Sequence, residues 1–518
     1  MRVLFVASEV FPLAKSGGLA DVSSALPMAL TRQGIDVRLL MPGYPSALAR
    51  LIDPCVEARF GSLLGIKDAT LVSGRLAHSH LPIWLIDAPS LFDRPGGLYQ
   101  DGHGRDWPDN ALRFGFLAHA AAMIARGFLP QWKPDIVHVN DWHAGLTPLL
   151  LALGGGPKPA TLLTIHNLAY QGNFPPETLS VLGIPNRFFR TDGVEFHGQV
   201  SFLKAGIRLS DSVTTVSPNY AKEVLTPEFG CGMDGILRDR GESFCGILNG
   251  IDTDLWNPAT DPHLANPYDV HDMSGKRACK ADLQSSFGLR VDRDRPLIGF
   301  VSRLAHQKMA DVVLESVPSI AAAGAQFVLV GEGDPALAAA FQHLGDRYRG
   351  SIAIRTYDEA LAHRLYAGAD ILLAPARFEP CGLTQMYALR YGTLPVVRKT
   401  GGLADTVADT TGAMLSCDMA TGFVFEDATL PALVGAIERA LALYRQPLIW
   451  RRLQQQAMLR DFSWNESAAK YMLLYSRLLV IGNPQSAGGC VMGGRGKSCE
   501  TGSHMTRVLR GRSSRRSI

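Results

Sequence analysis

The sequence predicts an α/β protein of two doubly wound domains, each a parallel sheet covered by helices on both faces. Three observations carry that expectation. Strand-length apolar runs alternate with helical patterns through the first half of the chain, and the same rhythm restarts near residue 296. The octapeptide KSGGLADV at Lys15 returns as KTGGLADT at Lys399. Strands buried on both faces read as continuous apolar runs, which is the pattern of a covered parallel sheet. A chain of 518 residues is too long for one core and suits two domains of roughly 200 residues or more.

In the first half the runs span 3–10, 36–42, 81–89, 135–141, 160–167 and 212–218, with a helical stretch at 109–127 between two of them. In the second half they span 296–304, 325–333, 351–358, 370–377 and 394–400. The helical pattern LTQMYALRYG precedes the last of these and stops at Gly392, as helices commonly do. Asn, Asp and Pro gather over 250–295, where one domain is expected to hand over to the next. The expected division is 1–250, 251–460, a closing helix over 461–481, and a tail over 482–518. Gly, Ser and Arg dominate that tail, so it is expected to be disordered.

Composition excludes several classes. With 47% hydrophobic and 19% charged residues the chain is ordinary for a globular protein. Its formal charge of +3 comes from the tail, where seven cations face Glu500 alone; the body is slightly acidic. A general nucleic-acid surface is therefore not expected, and an anionic ligand must be held by a few placed cations. No apolar run reaches membrane-spanning length. The opening MRVLFVASEV resembles a leader only superficially, since Glu9 interrupts it, and it reads as a buried strand in a cytoplasmic protein. The eight cysteines show no metal-type pairing and fit reduced thiols.

The candidate chemistry lies where strands end, because ligands of open parallel sheets sit beyond the carboxyl ends. Both Gly-Gly pairs follow a strand and open a helix, a way to bring backbone N–H groups close to phosphate. In ARFEPCGLTQMYALRYG (376–392) a strand ends near Arg377, and Glu379-Pro380-Cys381-Gly382 turns into a helix near Leu383. Helix-terminal amides there suit hydroxyl or phosphate oxygens, and Glu379 suits a sugar. In SRLAHQK, Arg303 and Lys308 are expected to converge on a diphosphate. Asp141, His143 and His166 also end strands. The plain alternatives are a solvated loop acid for Glu379, surface cations, and hydrogen-bonded core groups. VGEGDPA imitates a dinucleotide loop but follows the second strand of its domain. DTD (252–254) imitates a metal-binding pair but lies in an Asn-Gly turn region. GGRGKS lacks the first Gly of a phosphate loop, with Val491 in its place.

KSGGLADV, NDWHAGL, TIHNLAYQG, NGIDTDLWNP, FEPCGLTQMYALRYGTLPVVRKTGGLADTV and FSW, in this order over roughly 1–480, resemble the bacterial glycogen synthase and plant starch synthase family. The resemblance implies two Rossmann-like domains facing a cleft, the GT-B arrangement, with the last helix returning to the first domain. It implies transfer of glucose from ADP-glucose to the non-reducing 4-OH of an α-1,4-glucan or malto-oligosaccharide, with retention and with neither metal nor cofactor. By position, Lys15 and Gly18 would face the donor diphosphate, and Asp141 and His166 the transferred sugar. Arg303 and Lys308 would neutralise the departing diphosphate. Glu379 would bind glucose hydroxyls, helped by the amides of Cys381 and Gly382. Tyr357 would stack on the base, with Leu383, Thr384 and Asn249 also on the donor side.

Two positions depart from the family pattern: Met309 and Thr356 stand where Gly is usual. If either needs a positive φ, the poses of Lys308 and Tyr357 are affected. The alternatives are a relative using UDP-glucose or a small acceptor, a phosphorylase carrying pyridoxal phosphate, and an inactive glucan-binding relative.

Overall fold

The computed structural model describes residues 1–77 and 79–482. Expectations for the tail beyond Gly482 lie outside the described residues. Two large sheets carry the architecture. The first has nine strands in the order Phe244–Gly246, Ser212–Thr215, Ala160–Ile165, Ile136–Asn140, Arg2–Val6, Asp36–Pro42, Pro82–Asp87, Thr70–Arg75 and Ile52–Arg59. All neighbours pair in parallel from Phe244–Gly246 through Pro82–Asp87. The last two strands add antiparallel, which corrects the expectation of a wholly parallel sheet. Ile52–Arg59 is an edge strand with exposed Asp53, Pro54, Cys55 and Val56. An edge needs no continuous apolar run, and proline is tolerated there.

The second sheet has six parallel strands in the order Ile352–Arg355, Gln326–Val330, Leu297–Val301, Ile371–Ala374, Leu394–Arg398 and Phe423–Phe425. Leu394–Arg398 is thus followed by one more strand than the sequence pattern shows. In each sheet the chain starts on a central strand, builds to one side, and then crosses to the other. The crossing points lie between Arg2–Val6 and Ile136–Asn140, and between Leu297–Val301 and Ile371–Ala374. Ligands of doubly wound sheets bind beside such switch points. Most candidate residues lie just after one of these four strands; His166 follows the neighbouring Ala160–Ile165, and Tyr357, Asn249 and the second glycine loop at Lys399 lie elsewhere.

Two hydrophobic cores form. One is built from residues 3–247 and closed by Trp464, Ala468, Tyr471, Tyr475 and Leu478 of the last helix, Trp464–Gly482. The other draws mainly on residues 251–462. The returning helix is tied in by a buried polar chain. His138 Nδ1 meets Tyr475 Oη at 2.8 Å and its Nε2 meets Thr164 Oγ1 at 2.7 Å. Within 250–295, read as a handover, lies a full helix, Ser274–Ser286, belonging to the second core. Its buried Lys276 donates to the carbonyls of Ala367 and Tyr391, each at 2.9 Å. Those carbonyls lie at helix ends, where acceptors are otherwise unpaired. Among the described residues no helix is long and apolar enough to cross a membrane.

Candidate functional site

The loops after Leu297–Val301 and Ile371–Ala374 are stitched together before they offer anything to a ligand. Arg377 grips Asp311 bidentately at 2.7 and 2.8 Å, its N–H donates to Gln307 O at 2.8 Å, and Gln307 Nε2 donates to Phe378 O at 3.2 Å. This frame sets Lys308 against Glu379 in a direct ion pair, with Glu379 only 9% exposed. Such a charge-assisted bond is strong in a half-buried setting. The expected convergence of two cations is therefore modified. Lys308 is engaged by Glu379, while Arg303 is exposed and its guanidinium has no hydrogen bond or ion pair among the described residues.

Lys308 ends a 3-10 turn, His306–Lys308, and the chain leaves it through Met309 at φ +50°. A side chain in that left-handed region costs about 1–2 kcal/mol. Met309 is fully buried in the second core, and burial of a methionine returns about 1.5–3 kcal/mol. The backbone therefore keeps the positive φ with Met in place of the family's Gly. Thr356 is not among the positive-φ residues, so that departure carries no such strain.

The Glu379 loop turns through Gly382 at φ +72° into the helix Thr384–Arg390, whose N-cap Leu383 leaves its first amides uncapped by any side chain. Cys381 is buried, and burial pushes its thiol up to about 12; Asn249 N–H donates to it. Asn249 Oδ1 is buried with no hydrogen-bond partner among the described residues. A buried acceptor left unpaired is expensive unless something else supplies the donor.

The two glycine loops do different work. In the first, Gly17 caps the helix Gly18–Arg32 and no side chain bonds its first amides. Buried Glu9 pins the loop by accepting from Ser16 N–H, and from Ser16 Oγ at 3.3 Å. Lys15 Nζ lies 3.1 Å from Asp21 and 3.9 Å from Glu359, which belongs to the second domain. A Cβ on Gly18 would sit 3.7 Å from Leu383 Cδ1, so this loop faces the Glu379 loop across the cleft. In the second, Gly401 has φ +44° and a Cβ there would fall 1.8 Å from Glu379 O. Gly402 N–H donates to that same carbonyl at 3.1 Å, and Gly401 N–H donates to Glu223 at 2.9 Å. These amides are occupied, which corrects the expectation that both loops present theirs to a ligand. Lys399 points elsewhere, pairing with exposed Glu426 at 2.8 Å.

On the first domain, Asp141 sits at φ +55° and its Oδ1 accepts from His166 N–H at 2.7 Å. Burial pushes its carboxyl up to about 7. His166 Nε2 meets Asn140 Oδ1 at 2.9 Å, and Asn140 Nδ2 donates to Val6 O at 3.0 Å. That orientation makes Asn140 Oδ1 the acceptor and places the imidazole proton on Nε2. Burial pushes His166 down to about 3, so the ring is neutral at pH 7. His143 is buried against Trp142, ring centroids 4.0 Å apart, with Nδ1 unpartnered among the described residues. Tyr357 is 44% exposed and its Oη donates to Glu359 at 2.6 Å. Glu359 thus joins the Lys15 and Tyr357 side chains across the two domains.

VGEGDPA and DTD resolve as local structure. Asp334 caps the helix Pro335–Arg347, and Asp252 accepts from the N–H groups of Asp254 and Leu255. Among the described residues no group of three or more His, Cys, Asp or Glu is placed to hold a metal ion.

Comparison with known proteins fits this geometry. Residues 2–239 match the starch synthase catalytic domain family and residues 295–442 match glycosyl transferases group 1. A glycogen synthase of Burkholderia thailandensis is 50% identical over 480 residues, covering 92% of this chain and 90% of that protein. The chain belongs to the glycogen and starch synthase family. A glycogen synthase of Paramagnetospirillum magneticum is 48% identical over 501 residues, with 96% and 99% covered. The catalytic domain of starch synthase IV from Arabidopsis thaliana, solved bound to ADP and acarbose, superposes with a TM-score of 0.83 at 35% identity, covering 92% of this chain and 99% of that one. Sucrose-phosphate synthase from Thermosynechococcus elongatus, at 18% identity and a TM-score of 0.58 over 93% and 99% of the two chains, shows the shared GT-B fold alone.

Several groups of this synthase site were not singled out from sequence. Asp21 lies inside the quoted octapeptide, and its spacing from Lys15 across a helix start is the signal that points to it. Glu359 begins the helix Glu359–Gly368 two residues after Tyr357 and has no motif of its own. In the buried interior of the second domain rather than at the site, Trp256 packs face to face with both Tyr387 and His363 at 3.8 Å, and His363 is held by Asp261 at 2.7 Å. Only the fold brings these together.

Asp141 makes the synthase pH-sensitive in a stated direction. Its carboxyl rises from about 3.9 in an unfolded chain to about 7 in the fold, so folding favours the neutral form. That contribution is complete below about pH 4 and is lost as pH rises through about 7. Asp141→Asn imitates the neutral form. Thermal melts should show the variant gaining on the native protein between about pH 4 and about pH 7. Parallel melting curves across that range would contradict the shift.

Proposed function

We propose that this synthase transfers glucose from ADP-glucose to the non-reducing 4-OH of an α-1,4-glucan, with retention and without a metal. The observation that carries the reading is the Lys308–Glu379 pair at the second switch point, with the loop of Lys15 and Gly18 facing Leu383 of the Glu379 loop from the first domain. Breaking the bond between the anomeric carbon and the diphosphate leaves positive charge on the sugar and negative charge on the leaving group. Lys15, Lys308 and Arg303 can stabilise the latter as preorganised cations, which is the largest single effect available to such a site. Glu379 accepts bonds from glucose hydroxyls and orients the ring, and the unpaired Asn249 Oδ1 offers a further acceptor. A neutral His166 and a neutral or newly ionised Asp141 put little charge repulsion near the developing cation. The glucan 4-oxygen forms the new bond to the anomeric carbon as the bond to the diphosphate breaks, and the departing diphosphate oxygen takes the hydroxyl proton. Two domains closing over the donor exclude the water that would hydrolyse it.

ADP is favoured over UDP because the exposed Tyr357 ring offers a face for a purine. The starch synthase neighbour bound to ADP and acarbose supports both the nucleotide and the glucan-like acceptor. The six described cysteines are free thiols, which fits a reducing cytoplasm.

The test is nucleotide release from ADP-glucose or UDP-glucose in the presence of glycogen, with and without EDTA. ADP-glucose should give the higher kcat/KM, and EDTA should change nothing. A preference for UDP-glucose overturns the donor assignment, and loss of turnover restored by magnesium overturns the metal-free one. In the same assay Lys15→Gln should lower kcat by ~10²–10³-fold, while Lys399→Gln, whose ammonium is spent on Glu426, should stay within about tenfold. Equal losses would mean that both lysines serve the diphosphate.

A further inference from the structure

Two six-residue helices from opposite domains cap each other. Pro218–Glu223 belongs to the first domain and Gly401–Thr406 to the second. Glu223, at the end of its helix, accepts from Gly401 N–H at 2.9 Å and from Thr400 Oγ1 at 3.3 Å. Asp405, near the end of the other, accepts from Ser217 Oγ at 2.7 Å and Asn219 N–H at 3.0 Å. Each carboxylate therefore satisfies free amide or hydroxyl groups at the start of the opposite helix, where acids are favoured. Asn219 Nδ2 donates to Glu223 at 2.9 Å and holds it in place, and Arg398 is the cation nearest in effect. Ser217 and Thr400 are fully buried, so water does not replace these bonds readily.

The clasp ends one peptide away from the amide that holds the Glu379 carbonyl. Gly401 N–H is held by Glu223, and the next amide, Gly402 N–H, holds Glu379 O. Gly401 and Gly402 also press on the carbonyls of Glu379 and Cys381 so closely that neither tolerates a Cβ. Moving Gly401 must therefore move the backbone that carries Glu379.

We propose that Glu223 is a positioning residue for glucosyl transfer, fixing the Gly401–Gly402 loop, and through it Glu379, to the first domain. This rests on the transferase reading given above. The Glu223 carboxylate is spent on Asn219, Thr400 and Gly401; it sets the geometry in which Glu379 acts. The effect belongs to the transition state more than to ground-state binding, and therefore to kcat more than to KM.

The test compares Glu223→Ala and Glu223→Gln with the native protein in two measurements. The first is steady-state transfer from ADP-glucose to glycogen. Glu223→Ala should lower kcat by ~10-fold or more with donor KM within ~3-fold, and Glu223→Gln, whose side-chain oxygen still accepts from Gly401, should recover most of it. The second is amide hydrogen exchange over 379–383 and 399–406, which should quicken in Glu223→Ala and stay near native in Glu223→Gln. A normal kcat in Glu223→Ala, a loss confined to KM, or equal impairment of both variants would overturn the proposal. If the native protein transfers no glucose, the transferase reading fails by itself. The exchange comparison still decides the clasp, and unchanged exchange in Glu223→Ala overturns it.

Discussion

The site depends on how the Glu379 peptide is seated. Its carboxylate is paired with Lys308 and its carbonyl is held by Gly402 N–H, with Gly401 pressed against the same oxygen. Side chain and backbone are thus gripped from different loops. In the role proposed for Glu379, orienting a sugar, a carboxylate needs both, since an error of an ångström in placement is costly to turnover. The rest of the second domain serves this seat. The Arg377–Asp311 pair locks the strand-end loops, Gly382 makes the turn, and Lys276 anchors the helix that follows from behind.

Positive φ recurs on loops at the carboxyl ends of both sheets, at Asp141, Met309, Gly382 and Gly401. For the two that carry side chains, such conformations cost of order 1–3 kcal/mol and persist only where the surroundings over-determine them. Asp141 is fixed by the His166 amide, and Met309 by complete burial. The first glycine loop shows the opposite economy. Gly17 is extended and open, with Lys15 able to reach either domain. One loop spends its amides on protein and the other leaves them open, although their spelling is nearly the same.

That difference marks the limit of what was legible in the sequence. The central strands were readable because burial on both faces demands unbroken apolar runs, as in Arg2–Val6 or Gln326–Val330. Ile52–Arg59 was hidden because an exposed edge imposes no such demand, and Phe423–Phe425 because three residues are too few for a pattern. Candidate groups at strand ends were legible as residue types: Glu379, Lys308, Asp141 and His166 carry chemistry that stands out in an apolar context. Glu359 and Glu223 did not stand out, since each is an ordinary acid at the end of an ordinary helix. Their importance comes from the domain that faces them. Nothing in the octapeptides tells which one spends its amides on protein, because that is decided by the Glu379 carbonyl lying against Gly401.

The central claim is that the second glycine loop exists to seat Glu379, and Gly401→Ala tests it most directly. The measurement is glucosyl transfer by folded variant, with folding followed by circular dichroism. A Cβ would have to displace the Glu379 carbonyl, so turnover should fall by ~10²-fold or more, as when an orienting group is lost. Transfer at close to the native rate would show that Glu379 does not depend on this seat and would contradict the account.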